Sequence, residues 1–470
     1  MSYRLPFLFD YVFGNIVLPN ALSSEYGIVN YLHTLYSNKI KNNSFFEEEF
    51  GYHDQTIGGL LFDNQLGTHP TSVGNLNILA HCYRDYLTCI EDSVYFGKKK
   101  FGKYIYPIRI NPYISDFIGY GSKGQKINGE YFWKNMSAES LRDAQDGNAL
   151  IFLDFGQENY LEKDVVDQFH YSLSRSGISP SQIIFAINSF NAKEIYDRWY
   201  PLEKQLFEMH DWPFVLANVS YHYNIFVEQR ISIDNFYRLR NTIRKNHFLF
   251  KIRRPRDHRL AILFKLASDG LLSKGDWSCL SPVQSNDNVI EEFAKQCDMS
   301  FDLPKVNQVI ASFPKTLESE SGNNYTAVRA WTDQHPKSYM NSYFYICTET
   351  FLHGDFKSLT EKAFKPIVNF MPFVIIAYPG ALKLLQSLGF KTFSPWIDES
   401  YDNELDSVKR IKLVYEQITK ICRMPIEQLH EWYWQMEDIY VHNYNHFLEY
   451  YKHDVKGKEL IKYLYNRIVT

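Results

Sequence analysis

The chain has 470 residues, which is enough for two domains of ordinary size. Its content of 45% hydrophobic and 22% charged residues is typical of a globular protein and excludes a disordered chain. The net charge of −4 argues against a general nucleic-acid binder. No apolar run reaches the roughly 18 residues that a membrane-spanning helix needs, because Asn369, Pro372 and Pro379 interrupt the best candidate.

The cysteines and the N-terminus bear on the cellular compartment. The six cysteines are scattered, with no C-x-x-C pair and no metal-ligand spacing, which is typical of a reducing compartment. The first 15 residues carry Asp10 and no small-residue cleavage site, so they do not predict a secretory signal. We therefore expect a cytoplasmic protein without a transmembrane segment.

The first 145 residues are the least regular part of the sequence. Helical spacing of apolar residues occurs at 26–35 and 76–91. Residues 97–103 have the G-x-x-x-x-G-K spacing of a phosphate-binding loop, but Tyr104 stands where Ser or Thr would hold magnesium. Because a strand pattern follows where such a loop needs a helix, we interpret this segment as a basic hairpin turn.

A first alternation of strands and helices follows this region. Its apolar runs have the length of buried strands, and the segments between them carry helical spacing. We expect strands at 149–155, 183–187 and 214–219, and helices at 165–173 and 192–200. A series of this kind predicts a parallel sheet, here in a first domain of residues 1–240.

A second alternation begins beyond a basic segment at 244–251. We expect strands at 248–252, 343–348 and 373–377, and helices at 260–267, 359–370 and 381–388. This series predicts a second parallel sheet, in a domain of residues 241–404. Long helical patterns at 405–422 and 426–451 predict a helical tail over residues 405–470.

Charged and hydroxyl side chains gather where the strands of the second domain end. Ligands of open α/β sheets bind beyond the carboxyl ends of the strands. A glutamate at a helix start can accept hydrogen bonds from both ribose hydroxyls, while lysines and helix N-terminal amides counter phosphates. A solvated first helical turn is the alternative, since Thr-Glu is ordinary helix-start chemistry. The candidate residues are Glu349, Lys357, Thr360, Glu361, Lys362 and Lys365.

The order of these residues resembles a known donor site. A Thr-Glu-Thr strand end at 348–350, Leu-Thr-Glu-Lys at 359–362, an apolar helix and Pro-Phe-Val-Ile at 372–375 are similar to the donor segment of GT-B glycosyltransferases. The Thr-Glu-Lys element resembles that of the α1,3-fucosyltransferases and of glycosyltransferase-like proteins in viral and bacterial genomes. The chain departs from the fucosyltransferase pattern at Lys365-Pro366 and at Tyr378-Pro379-Gly380.

The resemblance implies an α/β, GT-B-like fold of two facing Rossmann-like domains with a helical C-terminal tail packing across them. Residues 1–240 would form the acceptor-side domain and residues 241–404 the nucleotide-sugar donor domain. Glu361 would bind the donor ribose, and the donor would be GDP- or UDP-linked. No cofactor is implied beyond this donor, which is a substrate.

Five basic side chains lie within seven residues at the predicted turn after residue 252, namely Arg253, Arg254, Arg256, His258 and Arg259. Arginine forks match phosphate oxygens in pairs, and the resemblance places this loop near the donor diphosphate. We expect Arg253, Arg254 and Arg256 to bind the diphosphate together with Lys362 and Lys365. A solvated basic turn and a nucleic-acid patch are the alternatives.

The catalytic base is expected on the first domain, as a carboxylate or histidine that takes the proton of an acceptor hydroxyl. Asp154 and Glu158 stand at the carboxyl end of a predicted strand and are the first candidates. Asp154 as a helix cap and Glu158 as a solvated side chain are the alternative. The early loops offer His53, Asp54 and His69 as further candidates.

These residues together predict a glycosyltransferase that moves a sugar from a nucleotide-activated donor to a hydroxyl of a glycan or glycoconjugate. Because the sequence contains no Asp-x-Asp motif, we expect positive side chains rather than a metal to offset the leaving diphosphate. A nucleotide-sugar epimerase of similar architecture would need no acceptor groove. A non-catalytic glycan- or nucleotide-binding module is the third possibility.

Overall fold

The computed structural model describes residues 11–13, 16–18, 103–109, 138–155, 163–212, 230–281, 287–317, 336–452 and 455–469. The chain divides into two units, Met1–Tyr221 with Asp454–Thr470, and His222–His453. Within the described residues, each unit contains one four-stranded sheet whose neighbouring strands are all parallel. The predicted α/β class with two parallel sheets is therefore confirmed.

The first unit alternates strands with helices. Its strands are β1 (Tyr11–Phe13), β2 (Ile16–Leu18), β3 (Tyr104–Arg109), β4 (Ala149–Phe155), β5 (Ile183–Ile187) and β6 (Glu208–Asp211). Its helices are α1 (Ala138–Gln145), α2 (Lys163–Ser174) and α3 (Ala192–Trp199), and the last helix of the chain, Val455–Val469, also belongs to it. β1 and β2 form a separate antiparallel pair.

The four-stranded sheet of the first unit has the order β3-β4-β5-β6. All five positions of β5 are buried, as expected for an interior parallel strand. The bounds predicted for β4 and β5 are confirmed, because both are unbroken apolar runs. β6 was not predicted, since its sequence Glu-Met-His-Asp is mostly polar. The strand predicted at 214–219 and the helices predicted at 26–35 and 76–91 lie outside the described residues.

The second unit has the same alternation, followed by a helical region. Its strands are β7 (Asn246–Ile252), β8 (Gly275–Cys279), β9 (Ser342–Thr348) and β10 (Phe373–Ile376). Its helices are α4 (Ile233–Arg238), α5 (Asp257–Ser268), α6 (Asp287–Gln296), α7 (Leu303–Ala311), α8 (Pro336–Met340), α9 (Glu361–Ile367), α10 (Ala381–Ser387), α11 (Ser407–Cys422), α12 (Ile426–Trp434) and α13 (Glu437–Lys452). The last helix of the chain is α14.

The helix predicted at 426–451 is two helices, α12 and α13. The break falls at Gln435 and Met436, and the Met436 amide donates to the Tyr433 carbonyl at 3.2 Å. Tertiary contacts surround this turn: Met436 is fully buried, and Gln435 accepts a hydrogen bond from the Trp396 indole at 3.0 Å. Neither proline nor glycine marks the break in the sequence, so local patterning could not show it.

A 3-10 helix, Glu399–Asn403, supports the start of α10. The main-chain oxygen of Asp402 accepts from the Gly380 amide at 2.7 Å. The Asp402 carboxylate accepts from the amides of Leu382 and Lys383 at 3.0 and 3.1 Å. Gly380 has φ 84°, a left-handed conformation that glycine adopts without strain. These bonds hold the turn that follows β10.

Glu399 is expected to make the stability of this unit depend on pH. Burial raises its pKa from 4.5 to about 7, although its carboxylate accepts a hydrogen bond from the Phe393 amide at 2.7 Å. Because the folded state binds this proton more tightly than the unfolded chain, stability declines as the pH rises from about 4.5 to 7. We expect Glu399→Gln to be more stable than the wild type at pH 8, by on the order of 2 kcal/mol. Urea unfolding at pH 8 and pH 4 measures this difference, and a difference that stays the same at both pH values would contradict the expectation.

Candidate functional site

The order of strands in the second sheet reverses between β7 and β9. The order is β10-β9-β7-β8, so the chain runs from β7 to β8 on one side and then returns to the other side for β9 and β10. In open parallel sheets the connections diverge at such a reversal and leave a crevice beyond the carboxyl ends of the strands. The arginine turn at 253–256 follows β7, and Glu349 follows β9. The two predicted groups of donor residues therefore begin directly after the two strands that flank the reversal.

The arginine turn is tied to the end of β9 by side chains of the turn and of α5. Arg256 immediately precedes α5. Its Nη1 donates to the Thr350 carbonyl at 2.9 Å, and its guanidinium lies 5.2 Å from the centre of the Phe351 ring. The imidazole Nε2 of His258 donates to the Glu349 carbonyl at 2.9 Å. Since burial lowers the pKa of His258 to about 3, this imidazole is neutral at physiological pH.

Arg259 also connects the arginine turn to the end of β9 by hydrogen bonds. Its Nη1 donates to the Arg254 carbonyl at 3.0 Å, and its Nη2 lies 3.3 and 3.2 Å from the carbonyls of Thr348 and Glu349. The side chain is buried, and its Nε has no hydrogen-bond partner. Burial, with the nearby charge of Arg256, lowers its pKa to about 10, so Arg259 stays positive at neutral pH. Arg259 was part of the predicted basic cluster but not of the predicted donor residues. The signal available in the sequence was its place in the basic cluster, directly before the helix predicted at 260–267.

The main-chain oxygens of Arg253 and Arg254 accept hydrogen bonds from side chains. Ser281 Oγ donates to the Arg253 carbonyl at 2.9 Å, and Arg259 donates to that of Arg254. Arg254 is exposed and Arg253 is half-buried. The turn is thus fixed by its backbone, and the Arg254 side chain extends to solvent at the edge where the strands end.

The second group of predicted donor residues begins at Glu349, which is buried and follows β9 directly. Its Oε1 accepts from the Thr360 amide at 2.9 Å, and its Oε2 accepts from the Thr360 hydroxyl at 2.5 Å. Burial raises the pKa of Glu349, and the positive charge of Lys362 and the bonds from Thr360 offset only part of this effect. Thr360 is the N-cap of α9. A residue predicted to contact the donor is therefore bound, through both carboxylate oxygens, to another predicted donor residue.

Glu361 and Lys362 begin α9 and form an ion pair, with Nζ 3.0 Å from Oε1. Their side chains are 23% and 26% exposed, so a ligand can reach both. Burial raises the pKa of Glu361, but Lys362 and Lys365 more than compensate and hold it below its ordinary value. Glu361 is therefore a carboxylate at neutral pH. Lys365 is buried within α9, and Lys357 is exposed in the loop before it.

The described side chains at this edge carry a net positive charge. Arg256 and Arg259 interact electrostatically with each other, Arg259 also interacts with both glutamates, and Glu361 interacts with Lys362 and Lys365. The cations thus outnumber the carboxylates. An edge of this kind attracts an anion, while Glu361 adds a hydrogen-bond acceptor for hydroxyl groups.

The predicted base candidates fall on the first unit. Asp154 lies at the carboxyl end of β4, in register with Arg109 of β3 and Ala186 of β5. Glu158, His53, Asp54 and His69 lie outside the described residues, as does the basic segment at 97–102. The same edge carries Asp211, whose carboxylate accepts from the Ala192 amide at 2.5 Å. Asp211 was not predicted, because the strand that it ends was not predicted.

The described parts of the chain contain no group of three or more His, Cys, Asp or Glu residues that could hold a metal ion. In the same residues, no helix is both long and apolar enough to cross a membrane. The cysteines at 279, 297, 347 and 422 are buried free thiols.

Comparison with known proteins shows similarity to a solved structure. No protein-family model matches the sequence, and no curated protein matches it. A solved structure of a trehalose-6-phosphate synthase (OtsA) is similar at 13% sequence identity and a TM-score of 0.32, over 75% of this chain and 80% of that chain. The functional conclusion therefore depends on the chemistry of the site.

Proposed function

We propose that the chain is a GT-B-type glycosyltransferase that binds a nucleotide sugar at the strand reversal of the second unit and transfers the sugar to a hydroxyl of a glycan acceptor. One observation carries the proposal: the two strands that flank the reversal end in a net positive edge with an accessible carboxylate. Such an edge fits a diphosphate joined to a ribose. The resemblance of residues 359–362 to the Thr-Glu-Lys element supports the same ligand.

The proposed roles follow from charge and accessibility. Glu361 accepts hydrogen bonds from the ribose hydroxyls, and Lys362, with Arg253, Arg254 and Arg256, contacts the diphosphate. As the bond between the sugar and the diphosphate breaks, negative charge grows on the diphosphate oxygens. Fixed positive groups stabilise this charge without a metal. Lys365 and Arg259, both buried, contribute their charge from within the unit.

The acceptor half of the reaction is assigned to the first unit. The acceptor oxygen forms the new bond to the sugar and loses its proton, which a carboxylate can take. We assign this proton to Asp154, at the carboxyl end of β4, or to Glu158. The nucleoside diphosphate and the extended glycan are the products.

A nucleotide panel tests the donor site. We expect one of UDP, GDP, ADP or CDP to raise the melting temperature, because a ligand that binds only the folded state stabilises it. At about 100 times its dissociation constant such a ligand adds about 2.7 kcal/mol, or roughly 5–10 °C for a unit of this size. Lys362→Met should remove most of this shift, whereas Lys383→Met, at an exposed lysine of α10, should keep it.

The outcomes separate the possible functions. No shift with any nucleoside diphosphate would refute the proposal. If one binds, the corresponding nucleotide sugars are incubated with the protein and mixed glycan acceptors. Transfer of the sugar to an acceptor supports the glycosyltransferase, conversion of the donor without an acceptor indicates an epimerase, and binding without turnover indicates a binding module.

A further inference from the structure

Glu349 is hydrogen-bonded to β10, to α5 and to the N-cap residue of α9. Its amide donates to the Ile376 carbonyl of β10 at 2.9 Å. Its carbonyl accepts from His258 and Arg259 of α5 at 2.9 and 3.2 Å. Its carboxylate accepts from the amide and the hydroxyl of Thr360. One residue thus connects the arginine side of the edge, the neighbouring strand and the start of α9.

The direction of the bonds around Thr360 follows from the capacity of a hydroxyl group, which has one proton to donate and two lone pairs. Thr360 Oγ1 lies 3.3 Å from the Lys362 amide and 3.1 Å from the Lys362 ammonium, and both of these groups can only donate. The hydroxyl proton therefore goes to Glu349 Oε2. Both side-chain oxygens of Glu349 therefore act as acceptors for Thr360.

We propose that Glu349 is a positioning residue for donor binding, which acts through Thr360 to fix Glu361 and Lys362 at the strand reversal. This Glu349–Thr360 clamp comprises the carboxylate of Glu349 with the amide and hydroxyl of Thr360. The inference depends on the proposed function for its ligand and on the geometry for its mechanism. Because Glu349 is 2% exposed and Thr360 binds both of its oxygens, it does not contact the donor itself.

The groups that face the clamp come from three elements and from the segment after β10. They are Glu361 and Lys362 of α9, His258 and Arg259 of α5, Cys347 of β9, and Tyr378 after β10. Since several of these groups also titrate, a set of substitutions isolates the clamp better than a change of pH.

Four variants test the clamp. Glu349→Gln keeps one acceptor oxygen but presents an amide donor in place of the other. Thr360→Val removes only the hydroxyl, Thr360→Ser keeps it, and the double variant combines Glu349→Gln with Thr360→Val. The affinity for the nucleoside diphosphate that stabilises the wild type is measured by calorimetry. We expect a loss of about tenfold or more for each of the first two variants, a loss under about threefold for Thr360→Ser, and a double variant no weaker than about the worse single variant.

The contrary results are specific. An affinity of Glu349→Gln equal to that of the wild type would overturn the inference, and so would a double variant whose loss is the product of the two single losses. If Glu349→Gln does not fold, the comparison of Thr360→Val with Thr360→Ser decides, because only the hydroxyl differs in hydrogen bonding. Equal losses for these two variants would overturn the role of the hydroxyl.

A measurement without ligand separates this inference from the proposed function. Amide hydrogen exchange of residues 356–367 should be faster in Thr360→Val than in the wild type and unchanged in Thr360→Ser, while exchange in α11 stays the same. Unchanged exchange in Thr360→Val would overturn the clamp, whether or not a nucleotide binds. If the wild type binds no nucleoside diphosphate, the proposed function and the donor-positioning role both fail, and faster exchange then supports only the local clamp.

Discussion

Replacement of Arg410 by methionine is expected to lower the free energy of unfolding of the second unit by about 3–5 kcal/mol. The side chain is 1% exposed and extends from α11. Its Nε donates to the Ala377 carbonyl at 2.8 Å and its Nη1 to the Glu404 carbonyl at 2.5 Å, while Nη2 donates to the Leu352 carbonyl. Methionine fills a similar volume but leaves these carbonyls without their donors, and each unsatisfied buried group costs free energy.

Loss of the Arg410 hydrogen bonds should also affect the carboxyl edge of the second sheet, where we propose that the donor binds. Ala377 directly follows β10, and Leu352 lies in the segment between β9 and α9. One side chain of the helical region therefore holds two of the chain segments that leave the carboxyl edge of the sheet. Urea unfolding of Arg410→Met measures the stability change, with Lys409→Met as the control at an exposed position of the same helix. A change within about 1 kcal/mol of the control would show that solvent or neighbouring groups replace these hydrogen bonds.

The location of the candidate site could be predicted from the sequence, because it depends only on the order of strands along the chain and on which residues follow them. Apolar runs located β4, β5, β9 and β10 to within a residue or two. The rule that ligands bind beyond the carboxyl ends of parallel strands then identified the segments at 253–256 and 349–362. The parallel pairing of β7 with β9, which places these segments side by side, appeared only in the structure.

The roles of single residues were less accessible, because they depend on partners distant in the chain. Spacing showed Glu349 and Thr360 as two similar candidates, 11 residues apart, and could not show that one binds the other. The same holds for Arg259, whose guanidinium reaches carbonyls about 90 residues away. Arg410 is an ordinary helical arginine in the sequence and was not predicted. Buried polar side chains that bond to carbonyl groups leave no periodic signal.

Replacement of Glu361 by glutamine is expected to weaken binding of the preferred nucleoside diphosphate by roughly 100-fold, or about 3 kcal/mol. Glu361 is ionised and accessible at the start of α9. Hydrogen bonds to a charged acceptor are stronger than those to a neutral one, and a ribose offers two hydroxyl donors. Glutamine keeps the size of the side chain but loses the charge and one acceptor oxygen.

The specificity of this loss identifies the part of the ligand that Glu361 binds. Calorimetry with the ribonucleotide and its 2′-deoxy form should show a clear preference for the ribonucleotide in the wild type and a much smaller one in Glu361→Gln. Glu416→Gln, at an exposed position of α11, should keep the wild-type preference. Lys362→Met should instead weaken both forms by the same factor, because a phosphate contact does not distinguish the sugars. If Glu361→Gln also weakens both forms equally, Glu361 acts through Lys362 on the phosphates and does not bind the ribose.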